Sequence, residues 1–312
     1  MRILCIGDLC GDLIIPYGET RTNIEKIRTG EVKSASVEFR HGGTAGNTAS
    51  VLGRMNDHPY FITDLCSDRI GTFLKDEMIR RGVDMSLSVT GPRSAQICIA
   101  VLDRDGERTM FSWLPPGSDY PTFSKESFRE SVYEEPCLVF VGGMTMNNDP
   151  VSMDAVCTFA ERMKQNGSVF VFDLNVRAEH YGMNAERKKA YDRMISAADI
   201  VLGSGAEEFA PVTGISDLHD AAKSIAEKGH IVIARNGSLP VTIFDGDSEE
   251  TVEVKPVKVI CSVGAGDVFN GAFLHAYHEG RPLKECVEFA NDTAGYMISH
   301  EGHLELPEEV LR

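Results

Sequence analysis

Residues 168–175, SVFVFDLN, form a short apolar run that ends in two polar side chains, Asp173 and Asn175. A run of this length with no polar residue in its centre is typical of a strand buried on both faces, as in a parallel sheet. Comparable apolar runs recur at 3–7, 137–143, 199–203 and 230–235. The sequence therefore predicts a sheet of buried parallel strands.

The segments between these runs have helical spacing of their apolar residues, at 150–166, 184–197 and 217–229. Strands that alternate with helices predict a doubly wound α/β fold, mostly parallel and flanked by helices. We expect one such domain over residues 1–312. Ligands of this fold class bind at the carboxyl ends of the strands, which is where Asp173 and Asn175 are predicted to lie.

One region departs from this alternation. Residues 96–114, QICIAVLDRDGERTMFSWL, contain two β-rich runs joined by the turn residues 103–107, which is the pattern of a hairpin. Residues 12–40 also contain β-type segments with little helical periodicity. We expect a small additional sheet from about 12–40 and 92–116, which serves as a lid or as a dimerisation surface.

The charge balance restricts the partners. The chain has 31 Lys and Arg against 47 Asp and Glu, a formal charge of -16 spread along its length. Nucleic-acid binding requires a basic surface, so no nucleic-acid partner is expected. A phosphate ligand would have to be bound locally, by backbone amides, a few arginines and a divalent cation.

The cysteines and the N-terminal residues indicate the compartment. The eight cysteines show no C-x-x-C pair and no zinc spacing, so we interpret them as reduced thiols. Asp8 and Asp12 interrupt the N-terminal apolar segment, and no apolar run approaches the roughly 18 residues that a membrane span needs. The sequence predicts a cytoplasmic protein without a membrane partner.

Residues 261–280, CSVGAGDVFNGAFLHAYHEG, predict a helix whose N-terminus is rich in glycine. Unpaired N–H groups and the helix dipole would make Gly264, Ala265 and Gly266 an anion-binding site. The same dipole is expected to keep Asp267 ionised, so that it can accept a proton. The alternative is that Asp267 is an ordinary helix-capping aspartate.

Residues 41–55, HGGTAGNTASVLGRM, contain a second pair of glycines before a predicted helix. Gly42 and Gly43 would allow a ligand to approach the backbone, and the amide of Asn47 suits sugar hydroxyls. The alternative is a turn followed by a helix cap. At 172–177, FDLNVR, Arg177 could neutralise a phosphate or carboxylate, or could belong to a solvated loop.

Three other known motifs are not matched by the sequence. Glu208 stands where a dinucleotide-binding G-x-G-x-x-G pattern starting at Gly203 would need its third glycine, and no P-loop sequence occurs in the chain. Residues 300–303, HEGH, are one residue short of a zinc-binding H-E-x-x-H, and we interpret them as surface sequence.

Taken together, these segments resemble the ribokinase-like (PfkB) family of carbohydrate and nucleoside kinases. The resemblance covers the whole chain, and its most specific part is SVGAGD at 262–267, where the family has T-x-G-A-G-D. The other matching segments are GDLCGDL, GGTAGN, SDRIGTFL, RRGVD, FDLNVR and VLGSGAEEF. The resemblance implies an α/β domain with a β-sheet lid, and transfer of the γ-phosphoryl group of ATP to a sugar-type hydroxyl.

The resemblance also implies roles for individual residues. Asp267 would be the general base, and Gly264, Ala265 and Gly266 would bind the transferring phosphoryl group. The implied sugar ligands are Asp12, Gly42, Gly43, Asn47 and Arg177. The implied ATP contacts are Asn175, Glu208, Arg235 and Asn291, with Glu208 also organising Mg2+. Dimerisation through the lid is implied as well.

The chain departs from the family pattern at three places. Gly205 stands where the family's N-x-x-E motif has Asn, residues 234–239 lack the usual T-x-G-x-x-G, and Cys261-Ser262 replaces Asp-Thr before the G-A-G-D motif. Because a thiol is a poor ligand for potassium, we predict little potassium activation. The sequence thus predicts an ATP-dependent and Mg2+-dependent sugar kinase; the alternatives are a nucleoside kinase of the same fold and a catalytically weak sugar- or nucleotide-binding protein.

Overall fold

The computed structural model describes residues 1–16, 37–102, 108–113 and 121–311. The predicted hairpin turn at 103–107 and residues 17–36 and 114–116 of the predicted lid lie outside this part of the chain. The strands are β1 (Arg2–Ile6), β2 (Cys10–Pro16), β3 (Glu38–Gly42), β4 (Tyr60–Ile62), β5 (Asp64–Cys66), β6 (Val89–Gly91), β7 (Ile97–Leu102), β8 (Arg108–Trp113), β9 (Cys137–Gly142), β10 (Val169–Asp173), β11 (Ile200–Ser204), β12 (Ile231–Asn236), β13 (Leu239–Asp245) and β14 (Ser248–Val252). The α-helices are α1 (Thr44–Arg54), α2 (Arg69–Arg80), α3 (Pro150–Gln165), α4 (Ala178–Tyr181), α5 (Ala185–Ala197), α6 (Gly205–Thr213), α7 (Leu218–Ala226), α8 (Ala265–His278) and α9 (Leu283–Ile298).

The main sheet contains the five predicted strands in its centre. Within the described residues it has eight strands in the order β14-β13-β12-β11-β10-β9-β1-β4. The strands from β4 to β12 are parallel, and β13 and β14 add an antiparallel edge. The predicted doubly wound, mostly parallel sheet is confirmed. After β1 the chain forms β4 on one side and later β9 on the other, so the winding direction reverses at β1.

The apolar strands are buried because helices cover both faces of the sheet. In β1, Ile3 and Cys5 pack into one core cluster while Leu4 and Ile6 pack into the other. The first cluster includes side chains of α1, α2, α8 and α9, and the second includes side chains of α3, α5, α6 and α7. Alternate residues of one strand therefore stabilise two separate layers, which explains why the strands read as continuous apolar runs.

A smaller sheet has the order β3-β2-β7-β8. Strand β2 pairs with β7 in parallel and with β3 in antiparallel orientation, and β7 and β8 are antiparallel, as the hairpin interpretation requires. Both the small sheet and the main sheet begin near the N-terminus, since β2 follows β1 after three residues. The small sheet is thereby positioned close to the carboxyl end of β1.

Of residues 300–303, interpreted as surface sequence, the first three are exposed whereas His303 is half-buried. The ring of His303 packs edge-on against the fully buried ring of His41, with 4.6 Å between ring centroids. Burial, followed by the nearby His41, strongly lowers the pKa of His303. The contact joins residues far apart in sequence, so no local pattern could have indicated it.

Among the described residues, none of the helices combines the length and the apolar character that crossing a bilayer requires.

Candidate active site

The carboxyl ends of the parallel strands bring polar side chains to one edge of the main sheet. Asp8 follows β1, Asp173 ends β10, Ser204 ends β11 and Arg235 lies near the end of β12. This edge includes the point at β1 where the winding direction reverses, which is the usual ligand-binding crevice of the fold class. The position predicted for the site from FDLNVR agrees with this geometry.

Helix α8 begins at this edge and brings Asp267 next to helix α1. Gly264 precedes the helix with a left-handed φ of 87°, a conformation that favours glycine. The Nδ2 atom of Asn47 donates a hydrogen bond of 2.7 Å to Oδ2 of Asp267. The predicted base and the predicted sugar ligand, 220 residues apart, are thus in direct contact. In the described part of the chain, the buried Oδ1 atom of Asn47 has no hydrogen-bond partner.

The pKa of Asp267 shifts in the direction opposite to the one expected from the helix dipole. Burial raises the pKa of Asp267 well above its ordinary value of 3.8, and the neighbouring carboxylates of Asp8 and Asp173 raise it further. The hydrogen bond from Asn47 and the charge of Arg177 act in the opposite direction but do not compensate. The helix dipole was a sound local argument, but desolvation and like charges from distant segments outweigh it.

The paired glycines Gly42 and Gly43 are required by contacts within the protein. A Cβ atom on Gly42 would lie 2.4 Å from the carboxylate of Asp12, and one on Gly43 would lie 2.6 Å from the backbone oxygen of Asp8. Gly43 also has a positive φ of 93°. These glycines let the segment that leads into α1 approach both aspartates.

Asp8 is a site residue that the sequence reasoning did not select. Its Oδ2 atom accepts a hydrogen bond of 2.9 Å from the backbone N–H of Thr44, and its Oδ1 atom accepts one of 3.2 Å from the backbone N–H of Ala45. Despite these bonds at the start of α1, burial raises the pKa of Asp8. The available signal was its place directly after an apolar strand, four residues before Asp12.

Asn175 and Arg177 are connected to the same helix end. The Nδ2 atom of Asn175 donates to Oγ1 of Thr44 over 2.7 Å, and Nε of Arg177 donates to Oδ1 of Asn175 over 2.7 Å. Both residues have positive φ values, 32° and 47°. Such backbone conformations cost energy in non-glycine residues and are concentrated at functional sites. Arg177 is exposed, and its charge lowers the pKa of Asp8, Asp173, Glu208 and Asp267.

Arg235 is buried behind the anion-binding turn. It donates to Oδ1 of Asp173 over 2.9 Å, to Oδ1 of Asn270 over 2.9 Å and to the backbone oxygen of Gly266 over 3.2 Å. These bonds connect β10 with the first turns of α8. Its role here is to position α8, and the predicted contact with ATP stays a prediction.

Glu208 and Asn291 lie further from Asp267. Oε2 of Glu208 accepts a hydrogen bond of 2.7 Å from the backbone N–H of Ser204. Burial, followed by the charge of Asp173, raises the pKa of Glu208 to about 7. Asn291 lies on α9, which packs beside α8, and its buried Nδ2 has no partner among the described residues. Their roles in binding nucleotide remain predictions.

The site brings together four carboxyl groups, of which Asp8 and Asp173 are buried and Glu208 and Asp267 half-buried. Four carboxylates, those of Asp8, Asp173, Glu208 and Asp267, have raised pKa values, while Arg177 and Arg235 are the arginines that act on them. Carboxylate oxygens are the ligands that Mg2+ prefers, and a divalent cation would relieve the repulsion. Asp173 and Glu208 are close enough to affect each other's charge and fit such an ion.

Known proteins with a similar sequence or structure are kinases of small molecules. The chain is 24% identical over 298 residues to 5-dehydro-2-deoxygluconokinase of Clostridium tetani, covering 92% of this chain and 87% of that protein. It is 27% identical over 273 residues to aminoimidazole riboside kinase of Salmonella typhimurium, covering 84% of this chain and 82% of that protein.

The fold is shared with solved structures. A putative ribokinase II from E. coli, in complex with ATP and Mg2+, superposes with a TM-score of 0.81 at 19% identity, covering 96% of this chain and 94% of that one. The sequence profile described as "pfkB family carbohydrate kinase" matches residues 1–309. With the G-A-G-D turn, the doubly wound sheet and the small second sheet in place, this match shows that the chain belongs to the pfkB family of carbohydrate kinases.

Proposed function

We propose that the protein transfers the γ-phosphoryl group of ATP to a hydroxyl of a small carbohydrate, with Asp267 as the general base. The observation that carries the proposal is the hydrogen bond from the buried Asn47 to the half-buried Asp267 at the glycine-rich start of α8. Phosphoryl transfer requires mainly positioning and charge neutralisation, so one base beside an anion-binding turn is a sufficient catalytic arrangement.

The carbohydrate is proposed to bind between the small sheet and α1. Asp12, Gly42, Gly43 and Asn47 border this space, and the unpartnered Oδ1 of Asn47 is an acceptor that fits a sugar hydroxyl. A hydroxyl in this position would lie beside Asp267, because Nδ2 of the same amide bonds to that carboxylate. Arg177, whose exposed side chain donates to Asn175, is the proposed partner of a carboxylate or phosphate oxygen of the substrate.

The raised pKa of Asp267 fits a base that becomes active when ligands bind. In the ligand-free protein, the neighbouring carboxylates favour its protonated form. Asp173 and Glu208 would hold Mg2+, whose positive charge would favour the ionised form of Asp267. The carboxylate of Asp267 would accept the hydroxyl proton, and the N–H groups of Gly264, Ala265 and Gly266 would donate to the phosphoryl oxygens.

The nucleotide is proposed to lie along the ends of β10, β11 and β12 toward α9. Asn175, Glu208, Arg235 and Asn291 are the proposed contacts, with Glu208 at the metal. The likeness to the E. coli ribokinase II, whose structure contains ATP and Mg2+, supports these cofactors. Asn291 supports a nucleotide position that extends toward α9, since its buried Nδ2 is a donor without a partner in the described residues.

The substrate is proposed to be a hexose, ketose or sugar acid. Arg177 favours an anionic substrate, since it is exposed beside the predicted sugar space. The similarity to 5-dehydro-2-deoxygluconokinase supports the same class. The similarity to aminoimidazole riboside kinase supports a riboside as the second candidate. The cytoplasmic location and the lack of a nucleic-acid partner stay predictions.

We also propose a homodimer through the small sheet. Residues on one face of a strand alternate, so Phe39, Phe111 and Trp113 lie on the face opposite to Asp12 and Cys98. Phe39 is 37% exposed, Phe111 45% and Trp113 47%. An apolar outer face on a lid is suited to a second copy. Light scattering after size exclusion tests this, and a monomer at micromolar concentration would contradict it.

The experiment that tests the function is ADP release with Mg-ATP in the presence of pools of ketoses, aldoses, sugar acids and nucleosides. We expect one of the three carbohydrate pools to give ADP with the wild-type protein but not with Asp267→Asn, and subdivision of that pool names the substrate. Activity with the nucleoside pool alone would instead establish the second candidate.

A protein that binds these pools without releasing ADP would be a sugar-binding protein rather than a kinase. Gly205, which replaces an asparagine of the family pattern, is the residue that would explain such a loss. Thermal-shift measurements with the same pools separate this outcome from the absence of the substrate.

A further inference from the structure

Three potential metal ligands meet on the inner face of the small sheet. The Sγ atoms of Cys10 and Cys98 and a carboxylate oxygen of Asp12 all lie within 4.8 Å of one another. Cys10 and Asp12 are two residues apart on β2, so both point to the same face, and Cys98 of β7 is the direct neighbour of Asp12. Cys10 and Asp12 are buried, while Cys98 is half-buried.

The spacing of these atoms is close to that of a metal site. Zinc–sulfur bonds of about 2.3 Å in a tetrahedron separate neighbouring ligand atoms by roughly 3.7 Å. Sγ of Cys10 already lies 3.4 Å from Oδ1 of Asp12. Because none of the ligand separations exceeds 4.8 Å, the shifts needed are within the range of side-chain rotation.

The two thiols differ in how readily they ionise. The contact with Cys98, followed by burial, raises the pKa of Cys10 well above its ordinary value, whereas the same contact lowers the pKa of Cys98. Such thiol pairs bind soft and borderline cations in preference to Mg2+, which binds oxygen ligands.

One other set of His, Cys and acidic residues in the described chain has comparable spacing, and it is a weaker candidate. It consists of Asp217, His219 and Asp220, which are all exposed. No sulfur ligand is present in that set, and exposed acidic residues on a helix are usually solvated. The inner face of the small sheet is therefore the stronger candidate.

We propose that Cys10, Asp12 and Cys98 bind a thiophilic divalent cation of the Zn2+ class, with water as the fourth ligand. Since Asp12 is also a proposed carbohydrate ligand, a cation at this position excludes the carbohydrate, and this second part depends on the proposed function. The cation would then inhibit the kinase by competing with the carbohydrate and not with ATP. Binding releases protons from the thiols and involves no change of oxidation state.

The binding test uses Cd2+ as a probe, because thiolate–Cd2+ bonds absorb in the ultraviolet. We expect wild-type protein, kept reduced, to bind one Cd2+ with this absorption. Cys98→Ser should weaken binding by about 10-fold or more, since a thiolate ligand is lost. The matched control is Cys261→Ser, which removes the other half-buried thiol from a different loop. Absence of the band, or an equal band in Cys98→Ser, would overturn the site.

The competition test measures ADP release at increasing Zn2+ with Mg-ATP in excess. The apparent KM for the carbohydrate should rise in the wild type and stay nearly constant in Cys98→Ser. A rise in the KM for ATP instead would place the cation at the nucleotide and overturn the exclusion of carbohydrate. If no carbohydrate supports ADP release, the proposed function fails, and the Cd2+ absorption still decides the metal site independently.

Discussion

Charged side chains surround both ends of helix α1, but the partners of these charges differ between the two ends. At its N-terminal end, Asp8 accepts two backbone N–H groups and Asn47 bonds to Asp267. At its C-terminal end, Arg54 donates a hydrogen bond of 2.6 Å to the backbone oxygen of Leu304, and Nη1 of Arg81 donates one of 3.4 Å to Oγ of Ser50. The helix dipole favours anions at the first end and cations at the second.

The difference appears in the carboxylates. At the C-terminal end, the hydrogen bonds from Arg80 and Arg81 overcome the effect of burial and lower the pKa of Glu77. At the N-terminal end, burial raises the pKa of Asp8, Asp173, Glu208 and Asp267, and neighbouring carboxylates raise the pKa of Glu208 and Asp267 further. The carboxylate at the C-terminal end is thus paired with arginines, whereas the ionised forms of the carboxyl groups at the N-terminal end remain unfavourable. Incomplete compensation of this kind is typical of sites that gain their missing charge from ligands.

The largest effect is expected at the base itself. Asp267→Asn should lower turnover by about 100-fold to 10,000-fold, because the amide cannot accept the hydroxyl proton, while carbohydrate binding is largely kept. Steady-state kinetics and calorimetry measure the two quantities. Asp192→Asn, on the exposed side of α5, is the control. Near-normal turnover of Asp267→Asn would remove this residue from the mechanism.

The next effect is on stability. Arg235→Met leaves the carboxylate of Asp173 buried without its 2.9 Å partner, which should reduce the free energy of unfolding by about 3 to 5 kcal/mol. Lys255→Met breaks an exposed pair with Asp292 and should cost at most about 1 kcal/mol. Urea unfolding compares the two. Equal losses would show that the Arg235 pair is not a special feature of the site.

The pH dependence of stability separates the two ends. The pKa of Glu208 rises from 4.5 to about 7 on folding, so between these pH values the folded protein holds a proton that the unfolded chain releases. The free energy of unfolding should therefore fall as the pH rises through this range, by on the order of 2 kcal/mol from this group. Glu208→Gln should remove that fall.

The neighbouring exposed Glu207→Gln is the control for this measurement, and it should keep the wild-type pH profile. A profile of Glu208→Gln that matched the wild type would show that Glu208 is ionised in the free protein, and that the carboxylates of the site are compensated.

Histidines near the other end of α1 should show the opposite slope. Burial lowers the pKa of His303 in the folded protein. Below about pH 6.5, the unfolded chain therefore binds a proton at this ring that the folded protein does not bind. The stability contributed by the neutral ring is lost as the pH falls from 6.5 to 5, by about 1 to 2 kcal/mol. His303→Phe should reduce this loss, whereas His300→Phe, an exposed ring of the same segment, should not. Equal profiles would contradict the burial of His303.

The smallest effect is expected from monovalent cations. Because Cys261 and Ser262 replace the Asp-Thr pair of the family pattern, exchanging sodium for potassium should leave turnover nearly unchanged. A large rate increase with potassium would show that other oxygen ligands complete such a site. The measurement uses the wild-type enzyme with its best carbohydrate, at constant ionic strength.

The sequence predicted well wherever one local pattern was enough. The apolar runs gave the central strands β1, β9, β10, β11 and β12 to within one or two residues, because a strand covered on both faces must be apolar at every position. Gly264 and Asp267 were placed at the start of α8 for a similar reason, since the glycine conformation and the apolar spacing of the helix are local properties.

Prediction from the sequence failed where the properties of one side chain depend on contacts with several distant segments. The direction of the pKa shift of Asp267 was misjudged, because burial by other segments and the carboxylates of Asp8 and Asp173 outweigh the local helix dipole. Asp8 was overlooked since its partners, Thr44 and Ala45, are 36 and 37 residues away. The approach of Cys10 to Cys98 depends on the pairing of β2 with β7, which no spacing of cysteines reveals.

The sequence by itself thus determined the strands, the helices, the glycine-rich turns and the family, all of which follow from neighbours along the chain. Only the tertiary structure decided which carboxylates share one buried space, which thiols share one face of the small sheet and which histidine is buried. The physical reason is that desolvation, repulsion and metal-ligand distance depend on separations in space, and the fold sets these between residues that the chain keeps far apart.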